Sequence, residues 1–201
     1  NISSFLSSVF VGDTDVTYSI IPADGSFVTE LKTHGTASYC GDGIFAYPYS
    51  VSRDFVKTAY CTARGEILHF EKDEVVGFAL SFYNGVALEE TFVSESADGE
   101  SEYAYRFVDT SFNTVSSPAE AKDFRCGLFC VGDGNGKYGV TANGKDMLLP
   151  VEYDGVFGDE NGIVAVKGSA AYAFDPDMKS IGTFDIGGDG LKNNVEDARI
   201  V

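Results

Sequence analysis

Thirty-one carboxylates, two imidazoles, four thiols and eleven phenols are the side chains in this 201-residue sequence that could do chemistry. The carboxylates come partly in adjacent pairs: Asp73-Glu74, Glu89-Glu90 and Asp159-Glu160. Glycoside hydrolysis needs two carboxyl groups about 5 to 9 Å apart across a cleft. Neighbours on a strand point to opposite faces, so these pairs do not supply that geometry unaided. Solvated surface acids are the expectation. His34 and His69 have no Gly-x-Ser-x-Gly elbow and no recognisable cysteine nucleophile motif to serve, so no catalytic set is expected.

Cys40, Cys61, Cys126 and Cys130 include no Cys-x-x-Cys, which argues against zinc. Cys126 and Cys130 on one strand would lie about 13 Å apart, too far to bridge. Cys40 and Cys61 could pair across a hairpin, and sequence does not choose. Buried free thiols are the expectation. The stretch Asp185–Glu196, DIGGDGLKNNVE, places Asp185, Asp189, Gly190 and Glu196 where an EF-hand loop has ligands and its turn glycine. Gly187 and Lys192 break that pattern, and the preceding IGTF reads as strand. Asp185, Asp189 and Glu196 are the candidate calcium ligands; a Gly-rich turn is the competing reading. No other cofactor is expected. GDGNGK at Gly132–Lys137 lacks phosphate-loop spacing and reads as a hairpin loop.

Aromatic residues recur with period two as Phe45, Tyr47, Tyr49 and as Tyr103, Tyr105, Phe107. Alternation puts each set on one sheet face. Facing inward they are core. Facing outward, Tyr47, Tyr49, Tyr103 and Tyr105 form a platform for sugar rings or a protein surface.

The elements that carry these groups repeat. Gly followed by apolar residues occurs at Gly43 (GIFAY), Gly85 (GVAL), Gly127 (GLFCV) and Gly162 (GIVAV), spaced 42, 42 and 35 residues. SVFV from Ser8 is a degenerate earlier copy. A second extended run follows each: TYSIIPADGS, TAYCTARGE, YRFVDTSFN, YGVTANGK and YAFDPDMK. Asp24-Gly25, Arg64-Gly65 and Asn143-Gly144 close three of them with residues that tolerate positive φ. A third extended piece such as MLLPVEY completes the unit. Such units are too small to bury their own faces and must stack. The spacing predicts an all-β chain of about five hairpin units, roughly 1–35, 36–77, 78–120, 121–156 and 157–201, in one domain. The array is propeller-like or a short solenoid. Ser117–Phe124, SPAEAKDF, is predicted as one or two helical turns with Ser capping and Pro just inside. Ser94–Ser101, SESADGES, is predicted as an exposed, mobile insertion. Ala198–Val201 could supply a closing strand.

The stretch Gly136–Val166 resembles the bacterial WG-repeat (KWG-type) family. Lys137, Tyr138, Gly139 and Val140 stand at the lysine, tryptophan-glycine and branched positions. Asn143-Gly144-Lys145 matches the turn, Leu149, Pro150 and Tyr153 the step after it. Phe157, Gly162, Val164, Ala165 and Val166 resemble the closing strand. The pattern departs in having no Trp and in losing the turn pair at Ser111-Phe112 and Asp177-Met178. The resemblance implies an all-β repeat array, and for many members export or attachment to the cell envelope. It adds little chemistry.

The net charge of -17 repels phosphate backbones, so nucleic acid is not the expected partner. No apolar run approaches a membrane span. The sequence opens on Asn1, and a removed secretory leader is expected upstream, in keeping with an extracellular or envelope location. The leading expectation is a non-enzymatic binding or scaffold module with a protein or glycan ligand. A carboxylate-based glycan hydrolase and a calcium-stabilised extracellular module are the alternatives.

Overall fold

The structure is a computed structural model and describes residues 5–11, 15–22, 24–33, 35–51, 56–70, 79–95, 99 and 101–187. Every regular element among them is a strand. Five antiparallel sheets follow one another along the chain, each with its strands in sequence order, and none closes into a barrel. The first contains β1 (Phe5–Val11), β2 (Asp15–Ile21) and β3 (Thr29–Thr33). The second contains β4 (Ser38–Gly41), β5 (Ile44–Val51), β6 (Val56–Thr62) and β7 (Ile67–Phe70). The third runs β8 (Phe82–Tyr83), β9 (Val86–Glu95), β10 (Ser101–Asp109) and β11 (Thr114–Ser116). The fourth runs β12 (Glu120–Asp123), β13 (Phe129–Gly132), β14 (Tyr138–Thr141) and β15 (Met147–Tyr153). The fifth runs β16 (Gly155–Asp159), β17 (Gly162–Lys167), β18 (Ala170–Phe174) and β19 (Ser180–Asp185).

The recurrent glycines mark one place in this plan. Gly43, Gly85, Gly127 and Gly162 each lie where the chain turns into the second strand of its sheet. At Asp42-Gly43 and Asn84-Gly85 both residues have positive φ, the signature of a tight two-residue hairpin turn. The second strands are apolar at consecutive positions, and this follows from burial on both faces. Ile44, Phe45 and Ala46 are buried, as are Phe129, Cys130 and Val131. The last strand of a sheet is wetter: Ile181 and Phe184 on β19 are exposed.

The chain divides into two compact units, Asn1–Phe82 with Thr110–Asn113, and Tyr83–Asp109 with Thr114–Val201. In the first, Ile20, Leu31, Phe45 and Cys61 form the core, with Tyr18, Tyr47 and Ala63 packed against it. In the second, Val86, Phe107, Phe129 and Val131 make one cluster, and Val140, Leu149, Ile163 and Ala165 belong to another.

The helix predicted at Ser117–Phe124 is not formed. Glu120–Asp123 is a strand that pairs with β13, Glu120 opposite Gly132 and Asp123 opposite Phe129. A helix of two turns is marginal in water, whereas an edge strand gains a ladder and buries Ala121 against the Phe107 cluster. Ser94–Ser101 is partly strand, since β9 continues to Glu95 and β10 begins at Ser101. The possible closing strand at Ala198–Val201 lies outside the described residues.

Candidate functional site

An open cavity of about 610 Å³ lies within the second unit. Three sheets furnish its wall. β10 contributes Tyr105, β12 contributes Glu120 and Lys122, β14 contributes Tyr138, and the step into β16 contributes Asp154 and Phe157. Gly132 and Gly155 line the backbone floor. A Cβ on Gly132 would stand 3.0 Å from both Glu120 Cβ and a Tyr138 ring carbon, so a side chain there would crowd the wall.

The polar groups of the wall are held by one another. The Tyr138 phenol donates a hydrogen bond to the Glu120 carboxylate, and this bond, ahead of burial, pushes the phenol above its ordinary range. Burial, then the charges of Glu90 and Glu120, push the Tyr105 phenol up. Both tyrosines therefore remain neutral donors at physiological pH. Asp154 accepts from Lys137 Nζ, with which it forms an ion pair, and from the Gly168 N–H at 2.7 Å. Those hydrogen bonds, the lysine's first, hold its carboxyl below the usual range. Cys130 also lines the cavity, but burial pushes its thiol up to about 12. It is a packed thiol rather than a nucleophile. The result is a wall of aromatic rings interleaved with fixed hydrogen-bonding groups.

Of the predicted platform, Tyr105 alone lines this cavity. Tyr103 lies two residues further out on the same face of β10, 40% exposed, with its ring edge-on to Phe92 at 6.0 Å. Tyr47 faces inward against the core of the first unit. Tyr49 is edge-on to Phe70 at 5.0 Å. The two pairs thus belong to different units.

Of the predicted calcium ligands, Asp185 is exposed at the end of β19 and accepts the Gly187 N–H at 3.0 Å. Asp189 and Glu196 lie outside the described residues. Among the described residues no group of three or more His, Cys, Asp or Glu could hold a metal ion. His69 stacks on Phe112 at 4.4 Å, and His34 lies outside the described residues. Glu89 forms an ion pair with Arg106 across β9 and β10. Cys61, Cys126 and Cys130 are free thiols, and the buried Cys40 donates to the Ser38 carbonyl at 3.8 Å; Cys126 lies in the turn after β12, not on the strand that carries Cys130. Asp133 closes the 133–137 hairpin loop by accepting the N–H groups of Asn135 at 2.7 Å and Lys137 at 3.1 Å.

Glu120, Lys122, Tyr138, Asp154 and Phe157 were not marked by sequence as a site. Lys137 and Tyr138 stood out only as repeat positions. No local period joins residues that converge from separate sheets.

No protein-family model matches the chain, and no curated protein matches it. Among solved structures, a crystal structure of the eukaryotic initiation factor is similar with a TM-score of 0.42 and 11% identity over 90% of this chain. The chain spans about half, 51%, of that chain's length. No helix among the described residues is long and apolar enough to cross a membrane.

Proposed function

We propose that this chain is a non-enzymatic binding module of an exported or cell-surface bacterial protein, and that the cavity of the second unit is its ligand site, with a glycan as the ligand class. The observation that carries the reading is the wall itself. Tyr105, Tyr138 and Phe157 offer ring faces and edges, and Glu120, Lys122 and the phenols offer hydrogen-bond donors and acceptors. That combination suits a ligand with an apolar ring face and a rim of hydroxyl groups. The WG-type pattern at Gly136–Val166 supports the exported, bacterial setting.

The hydrolase alternative needs a carboxyl kept protonated to serve as general acid. Asp154 is shifted the opposite way. Among the described residues, the carboxyl that is pushed up is Asp123, which owes this to burial and accepts the Arg125 N–H at 2.6 Å away from the cavity wall. Neither Asp154 nor Asp123 therefore offers a raised acid at the cavity wall.

A glycan and cell-wall-fragment array on the purified chain tests it. Binding that is lost in Tyr105→Ala and weakened in Glu120→Gln is the expected outcome. No binding to any glycan would sink the ligand class and direct attention to protein partners. Release of reducing sugar would replace the module with an enzyme.

A further inference from the structure

Tyr105 in the cavity wall belongs to a longer row of aromatic residues. On β10, Tyr103, Tyr105 and Phe107 share one face by the strand's alternation. Along that face burial falls from complete at Phe107, through partial at Tyr105 in the cavity wall, to 40% exposure at Tyr103. Phe92 lies directly opposite Tyr103 on β9 and is 56% exposed. The two rings pack edge-on to each other at 6.0 Å, and the segments around them, Glu90 to Glu95 and Ser101 to Ala104, are exposed at every position. Two residues of strand advance about 7 Å, comparable with one pyranose ring.

Charge narrows what could lie there. The described residues of the arm, 90–95, 99 and 101–104, include Glu90, Glu95 and Glu102 and no Lys or Arg. A polymer bearing uronate or phosphate groups would be repelled along the arm. A polycation is not favoured throughout either, because at the inner end Lys122 stands beside Glu120 and the Asp154 charge is met by Lys137.

We propose that the cavity is the inner end of a longer strip running out along β9 and β10, which takes an extended uncharged polysaccharide strand, with Tyr105 and then the side-by-side Tyr103–Phe92 pair as successive ring platforms. This rests on the glycan reading of the cavity and adds the polymeric length and neutral charge of the ligand.

Calorimetric titration of the whole chain with cello-, malto- and chito-oligosaccharides of two and of six sugar units tests it. In whichever series binds, the six-unit sugar is expected to bind about tenfold tighter than the two-unit sugar, the factor that about 1.4 kcal/mol provides. Phe92→Ala and Tyr103→Ala are expected to remove that gain with only a small change in melting temperature, since Phe92 is 56% and Tyr103 40% exposed. Tyr105→Ala should weaken both lengths. Equal affinity for the two lengths would overturn the strip and leave the cavity as a short-ligand site. Failure of all three series would overturn the glycan reading with it. Tighter binding of an oligo-lysine peptide than of any six-unit sugar would overturn the neutral polymer.

Discussion

At the residue scale, positive φ is where sequence and structure meet. Gly25, Gly65 and Gly144 take positive φ in the turns before the last strands of their sheets. Phe112 and Met178 take the same conformation at φ 63 and 60, where the turn glycine is missing from the sequence. Packing accounts for both. Phe112 lies among His69, Tyr60 and Phe82, with centroids at 4.4, 4.9 and 5.5 Å. Met178 packs against the Val140–Ile163 cluster. Gly144 shows the other requirement, because a Cβ there would stand 2.5 Å from Phe107 Cγ. Gly85 has φ 84 but open space around it. Gly85→Ala should therefore cost about 1 to 2 kcal/mol of backbone strain. Gly144→Ala should cost about 1 to 3 kcal/mol more, from overpacking, in the same denaturant titration. Equal losses would show that Phe107 gives way freely.

Two carboxyls of opposite shift make a second residue-level test. Hydrogen bonds to Lys137 and Gly168 lower the Asp154 pKa. Its contribution is present above the ordinary carboxylate range and is lost as pH falls through the lowered value. Burial raises the Asp123 pKa, so its ionised form is a burden at neutral pH that disappears on acidification. Asp154→Asn should lower the melting temperature at pH 7 and Asp123→Asn should raise it. Both differences should shrink as pH falls below the carboxylate range. A pH-independent difference in either would contradict the assigned cause.

At the element scale, the inner strands hold the fold and the outer strands hold the surface. Phe45 on β5 is fully buried, while Phe184 on β19 is 55% exposed. Phe45→Ala should cost about 3 to 5 kcal/mol. Phe184→Ala should stay within about 0.5 kcal/mol, as surface changes do. A large loss at Phe184 would mean that β19 is covered in solution. The hairpin units were legible in the sequence because a tight turn demands Gly or Asn at a fixed place before an apolar strand, and Asp42-Gly43 and Asn84-Gly85 obey this. β12 was not legible. Ser-Pro-Ala-Glu has the chemistry of a helix start, and only the long-range pairing of Glu120–Asp123 with β13 overrides it. The cavity was hidden for a related reason. Tyr105 was marked by alternation along one strand, but Glu120, Tyr138 and Asp154 meet it only because separate sheets deliver them.

At the scale of the whole molecule, a net charge of -17 must be borne by the folded state. Self-repulsion destabilises the compact form, and salt screens it over about 10 Å at 0.1 M and about 3 Å at 1 M. The melting temperature should rise by several degrees between 10 mM and 0.5 M sodium chloride (order-of-magnitude conditions for that screening). A fall would indicate that ion pairs such as Lys137–Asp154 outweigh the repulsion. The central claim, however, is that a binding site is assembled in the second unit from side chains of three sheets. Ring-labelled tyrosine observed by NMR during titration with the tightest glycan from the array tests it directly. Saturable shifts at Tyr105 and Tyr138, with Tyr47 and Tyr49 unmoved, are what the account predicts; saturable binding that leaves Tyr105 and Tyr138 unchanged would contradict it.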